Sequence, residues 1–149
     1  MPNNPVIRMD LPNGMVLIEC FPHLAPNHVK QILEIANNGW YDGTAFHRVI
    51  EGFMAQGGWT QRQLPQLQAE FNDFPHVQGV CSMARTSDPN SASDQFFICF
   101  GDSRFLDRQY TVWGRVMYGM EHVHTITRGE PPAEPTVIVK MREVDVTKL

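Results

Sequence analysis

Hydrophobic and polar residues alternate along VIRMDLPNGMVLIECF, residues 6–21, on both sides of Pro12-Asn13-Gly14. Alternation with a period of two predicts strands, and an Asn-Gly pair tolerates the positive φ of a tight turn. The stretch therefore reads as a β-hairpin. The pattern then changes. In APNHVKQILEIANNGWYDG, Val29, Ile32, Leu33 and Ala36 recur at helical spacing, Pro26 suits a first turn, and Asn38-Gly39 supplies a stop. An amphipathic helix of about three turns is predicted.

Beyond this helix the period returns to two. TAFHRVI and FMAQGG read as short strands broken at Glu51-Gly52. GVCSMAR and QFFICFG read as two more, around the polar loop TSDPNSASD, and YTVWGRVM as another. GMEHVHTITRG predicts a second helix with Met120, Val123 and Ile126 or Thr127 inward. EPPAEP is a connecting loop and TVIVKMREVDV a closing strand. Many short strands, few helices and frequent turns indicate an antiparallel barrel or sandwich, and periodicity does not choose between them.

Composition narrows the class. The 149 residues suffice for one domain, 1–149, with a sizeable core, and no repeat or linker divides them. The net charge of -4 and the absence of a basic block disfavour nucleic-acid binding. MPNNPVIRMDLPNG has neither a basic nor an apolar leader region, and runs such as VLIECF are far too short to span a bilayer. Cys20, Cys81 and Cys99 lie in apolar stretches without a CxxC pair, which fits buried reduced thiols and a cytoplasmic protein.

No GxSxG, GxxxxGK[ST], GxGxxG or HExxH motif occurs. His122 and His124 form an H-x-H, but His23, His28 and His76 are scattered, and a metal needs three or four converging ligands. The His122/His124 pair reads as a surface or helix feature. One charge stands out instead. In FHRVIEGFMAQGG, residues 46–58, Arg48 sits among Phe46, Val49, Ile50, Phe53 and Met54. A guanidinium does not shed its proton, so Arg48 either pairs with a buried carboxylate or faces a site where its charge is used.

FHRVIEGFMAQGG, together with SMARTSDPNSASDQFFICF and FLDRQYTVWGRV, closely resembles the cyclophilin family of peptidyl-prolyl cis-trans isomerases. The family pattern FHRVI-x-x-FM-x-QGG is met in full, and the resemblance runs from the first hairpin to the last strand. It implies a mainly β fold: a closed eight-stranded antiparallel β-barrel capped by two α-helices. It also implies isomerisation of X-Pro bonds in peptides and unfolded proteins. Arg48 takes the place of the catalytic arginine, with Gln56 orienting it or bonding the substrate backbone. Phe53, Met54 and Gln56 line the groove, Ala84 and the backbone of Arg85 run along its edge, and Gln95 lies beside them. Phe97 and Leu106 form the proline pocket. His47 should point to the opposite face of the strand, as a hydrogen-bonded structural histidine. Phe46, Phe96 and Ile98 stay in the core.

Departures from the family pattern shape further expectations. Phe105 and Tyr110 stand where many members carry tryptophan and histidine. Phe105 has no N–H donor, so cyclosporin is expected to bind with reduced affinity. The loop after Gly58, WTQRQLPQLQAEF, looks shortened, and Trp59 either covers the exposed edge or packs beneath it. Arg85 replaces a smaller polar residue, which favours acidic residues before proline. No cofactor or metal is called for, because no bond breaks, and the protein is expected to act as a monomer. A non-catalytic proline-peptide module or scaffold on the same barrel is the competing reading, disfavoured by the intact groove residues.

Overall fold

A computed structural model describes residues 4–148. Eight strands form one antiparallel sheet: β1 (Val6–Leu11), β2 (Gly14–Cys20), β3 (Arg48–Ile50), β4 (Met54–Gly57), β5 (Val80–Met83), β6 (Phe96–Cys99), β7 (Val112–Tyr118) and β8 (Lys140–Val144). Their order across the sheet is β3-β4-β6-β5-β7-β2-β1-β8. The first hairpin is as the alternation predicts, with Pro12 and Asn13 as its turn and Leu11 opposite Gly14.

The sheet curls, but it is not the closed barrel that the family resemblance implies. β3 and β8, its two ends, share no continuous ladder. The segment between them in space, residues 129–139, makes only isolated bridges, Val49 with Gly129 and Ala45 with Val137. Pro131, Pro132 and Pro135 account for this, because proline has no N–H to give a ladder. The closing strand accordingly starts at Lys140 rather than near Thr136.

α1 (Pro26–Asn37) begins on its proline and buries His28, Val29, Ile32, Ile35 and Ala36. Its first amides find their acceptor elsewhere: the Glu70 carboxylate takes His28 N–H at 2.9 Å and Asn27 N–H at 3.3 Å. α2 (Met120–Val123) is a single turn, much shorter than the pattern predicts. Thr125 turns its hydroxyl onto the His122 carbonyl and Thr127 turns its own onto the Glu134 carbonyl. Such side-chain bonds compete with helix continuation. Val123 and Ile126 are nevertheless buried, whereas Thr127 is exposed.

Strand alternation splits the apolar residues into two clusters. Phe96 and Ile98 of β6, Ala55 of β4 and Trp113 of β7 face the main core, with Phe46 and the inner face of α1. Phe97 and Cys99, Met54 and Val112 face the other way, with Phe21, Val80 and Leu106. The glycines of the QGG run are fixed by this packing. A Cβ on Gly57 would lie 2.9 Å from Phe46, and one on Gly58, whose φ is +84°, would lie 2.8 Å from Phe96. The three cysteines are buried and free, and burial pushes the Cys20 and Cys99 thiols up to about 12. Among the described residues no helix is long and apolar enough to cross a membrane.

Two buried histidines tie loops to this frame. His28 Nδ1 lies 2.6 Å from Glu70 Oε1, and its buried Nε2 has no partner among the described residues. His76 Nδ1 lies 3.0 Å from Asp107 Oδ1, and its Nε2 lies 3.0 Å from Ser82 Oγ. The Thr111 carbonyl accepts both the Met83 N–H and, at 2.9 Å, the Ser82 hydroxyl, so Ser82 Oγ turns a lone pair toward His76 Nε2. This Ser-His-Asp chain is no nucleophile, because Ser82 is fully buried. Burial lowers the pKa of both histidines from the ordinary 6.5, outweighing Glu70 and Asp107, which raise it. Below 6.5 the unfolded chain therefore binds more protons than the folded one, and stability present at neutral pH is lost as pH falls. Thermal unfolding should show a melting temperature that drops steadily between pH 6.5 and 5, and a flat profile from pH 8 to 5 would refute this account. A second loss belongs below 3.8, the ordinary value under which Asp42 is held by the Arg142 side-chain bond.

Candidate functional site

One row of paired strand positions crosses the outer face of the sheet. Arg48 on β3 lies opposite Gln56 on β4, Gln56 opposite Phe97 on β6, and Phe97 opposite Ser82 on β5. Because side chains two residues apart share a face, Met54 joins Gln56 on the same side. Three connections then wall the row. The β3–β4 turn brings Phe53, the chain after β5 brings Ala84 and Arg85, and the connection before β7 brings Leu106 and Tyr110. Arg48, Phe53, Met54, Gln56, Ala84, Arg85, Phe97, Leu106 and Tyr110 line a cavity of about 70 Å³.

The cavity floor is apolar and rigidly backed. Phe97 and Leu106 are buried, Met54 is only 2 % exposed, and the Tyr110 ring meets the Phe97 ring edge-on at 5.7 Å. Behind Phe97 the His76 ring stacks at 6.1 Å. Arg48, by contrast, is exposed, so it is not the buried ion pair that the bland reading of the sequence would require. Its Nη1 donates to Gln56 Oε1 at 3.4 Å, and Gln56 Nε2 donates to Gln95 Oε1 at 3.0 Å. Gln95 itself lines a neighbouring concavity with Ala84, Arg85 and Asp94 rather than the central one. Phe105 stands at the rim, 67 % exposed, with its ring 5.6 Å from Phe53.

Several sequence expectations shift at this level. Arg85 bridges two connections: its Nε and Nη2 both donate to the Gln109 carbonyl, at 3.0 and 2.8 Å, and its guanidinium lies 4.6 Å over the Tyr110 ring. His47 does leave the row, but its buried Nδ1 has no hydrogen-bond partner among the described residues, unlike the hydrogen-bonded histidine expected. Its ring meets Trp59 edge-on at 6.2 Å. Trp59 neither covers the cleft nor packs beneath it. It is half-exposed and lines a separate hollow with Trp40, His47 and Arg62. The loop after Gly58 is tied to the 84–95 loop instead, through Thr60 on Asp94 and the Leu67–Ala92 bridge. Sequence reasoning missed Glu130, whose Oε1 accepts from Arg48 Nε at 3.2 Å. It falls in EPPAEP, where no local pattern reveals a partner 82 residues away.

Comparison with known proteins places this arrangement. Residues 6–146 match a family model described as "Cyclophilin type peptidyl-prolyl cis-trans isomerase/CLD". A probable peptidyl-prolyl cis-trans isomerase of Brucella abortus is 45% identical over 145 residues, covering 86% of this chain and 74% of that protein. The crystal structure of cyclophilin AquaCyp293 from Hirschia baltica superposes with a TM-score of 0.89 at 35% identity, over 100% of this chain and 76% of the other. A Cryptosporidium parvum cyclophilin-type isomerase, crystallised in the presence of the dipeptide Ala-Pro, shares the fold with a TM-score of 0.86 at 24% identity, over 94% and 99% of the two chains.

Proposed function

The chain belongs to the cyclophilin-type peptidyl-prolyl cis-trans isomerases, and on that footing we propose that Arg48 is its catalytic donor, set over a proline pocket of Phe53, Met54, Phe97 and Leu106. The observation that carries this reading is the row Arg48–Gln56–Phe97 with the apolar cavity beside it. Nothing comparable supports a non-catalytic scaffold.

Chemistry follows from the amide. Rotation about a peptide bond faces a barrier of about 18–20 kcal/mol, because resonance ties the nitrogen lone pair to the carbonyl. The X-Pro isomers differ by only about 0.5–1 kcal/mol, so the reaction is nearly thermoneutral and slow. A catalyst needs only to bind the twisted amide better than either planar one. When the bond twists, the prolyl nitrogen regains a lone pair and accepts a hydrogen bond that the planar amide refuses. The Arg48 N–H groups not taken by Gln56 supply the donor. Each 1.36 kcal/mol of preference for the twisted state speeds the reaction about tenfold. Phe97, Met54 and Leu106 hold the pyrrolidine ring while the acyl side turns. No proton moves and no cofactor is needed.

The same proposal takes residues 1–149 as one catalytic domain that acts as a monomer on unfolded chains, with Ala84, Gln95 and Tyr110 as further substrate contacts. The family match over 6–146 supports the single domain, and three free cysteines support a cytoplasmic setting. Phe105 offers cyclosporin no donor, so its affinity is reduced. Arg85 has no carboxylate partner among the described residues, and its charge favours an acidic residue before proline. Titration of Ala-Pro and of peptides extended by Glu or Lys into isotope-labelled protein tests the site. Resonances of Met54, Ala84, Phe97 and Leu106 should shift, with the Glu peptide binding more tightly. Shifts confined to other faces would overturn the assignment, and equal affinity for the two peptides would remove the role given to Arg85.

A further inference from the structure

The segment Arg128–Glu130 lies antiparallel against the free edge of β3 through three successive contacts. The Arg128 guanidinium pairs with Glu51, Gly129 and Val49 exchange both backbone hydrogen bonds at 2.8 Å, and Glu130 Oε1 accepts from Arg48 Nε at 3.2 Å. Gly129 adopts φ +143°, and a Cβ there would lie 2.5 Å from Pro132, so the backbone route to Glu130 is specified by a glycine. The backbone bridge sits one residue from each member of the Arg48–Glu130 pair. It therefore sets where the carboxylate meets the guanidinium.

We infer that Glu130 is a positioning residue for the isomerase reaction, one that fixes the plane of the Arg48 guanidinium. The inference rests on the reading of Arg48 as the donor. A guanidinium offers five N–H donors in a rigid fork. Glu130 takes Nε, Gln56 takes one N–H of Nη1, and Gln95 holds Gln56 in turn. Two bonds at different nitrogens define the plane and leave the remaining N–H groups for the twisted amide. Without the Nε bond the side chain, 48% exposed, regains rotamers about its long stem. The Glu130 side chain is 56% exposed, so the pair adds little to folding stability. Its effect belongs in the rate.

Protease-coupled isomerisation of an Ala-Pro-Phe peptide tests this with Glu130→Ala, Glu130→Gln and Arg48→Ala side by side. Glu130→Ala should lower kcat/KM about three- to tenfold, mostly through kcat, because fixing the plane spares part of the rotamer entropy of a free arginine. Glu130→Gln, which keeps an acceptor, should fall between it and the parent. Melting temperatures should stay within about 2 °C, as for other exposed substitutions. The Arg48 Nε–H resonance, distinct in the parent, should broaden in Glu130→Ala. In an Arg48→Lys background, which lacks Nε, Glu130→Ala should cause no further loss. An unchanged or raised kcat/KM in Glu130→Ala, an additive loss in the Arg48→Lys background, or a loss matched by a fall in melting temperature would each overturn the role of Glu130. An active Arg48→Ala variant would instead overturn the reading of Arg48 beneath it.

Discussion

Arg48→Ala should lower kcat/KM for an Ala-Pro-Phe peptide by about a hundred- to a thousandfold, the usual consequence of removing one preorganised donor aimed at a transition state. The effect should sit in kcat, since the pocket of Phe97, Met54 and Leu106 that holds the ring is untouched. Arg48 is exposed and its ion pair with Glu130 is exposed as well, so the fold should survive with little change in melting temperature. Arg48→Lys should recover only a small part of the rate. An ammonium keeps the charge but not the planar fork, and it cannot bond Gln56, Glu130 and substrate in one plane. Equal rates for the parent and Arg48→Ala, measured with the coupling protease in excess, would reject the assignment.

Phe96→Ala should be the most destabilising single truncation in the barrel-like frame. The ring is fully buried and meets Tyr41, Phe46 and Trp113 edge-on at 5.5, 6.2 and 5.9 Å. Truncating a buried phenylalanine costs about 3–5 kcal/mol, against a typical total of about 5–15 kcal/mol. For a chain of this length that corresponds to a fall in melting temperature on the order of 10 °C. The surviving folded molecules should still isomerise proline at low temperature, because Phe97 next to it faces the other cluster. Phe96→Leu should lose much less. A melting temperature unchanged in Phe96→Ala would show that the packing around Gly58 relaxes to fill the space.

The contrast between those two residues shows what the sequence makes legible. Phe96 and Phe97 are neighbours of the same type, and period-two alternation alone sends one to the core and the other to the site. The motif resemblance identifies which is which. Strand positions, α1 and nine residues of the cavity lining follow from pattern and motif in this way. What escapes is long-range and polar. Glu130 reaches Arg48 across 82 residues, and Glu70 reaches the amides of α1 across 42. Neither leaves a periodic trace, because an exposed or loop carboxylate looks the same whether or not it has a partner. The start of the closing strand was illegible as well. TVIVKMREVDV alternates throughout and reads as one strand, yet Val137 meets Ala45 only in an isolated bridge and the ladder begins at Lys140. The length of α2 was decided by threonine hydroxyls, Thr125 bonding back onto the His122 carbonyl of the last turn and Thr127 reaching the Glu134 carbonyl in the following loop.

The sheet order has a consequence for when this enzyme comes into being. β1 and β2, first in the chain, lie between β7 and β8, which are among the last. The residue that steadies Arg48 also comes from the far end, at position 130. A nascent chain that has emerged only as far as β6 already contains Arg48, Met54, Gln56 and Phe97, yet lacks Leu106, Tyr110 and Glu130. Its first hairpin must wait for its neighbours, as the high sequence separation of such pairings slows assembly. An enzyme that isomerises prolyl bonds thus has no working site of its own until synthesis has passed residue 130.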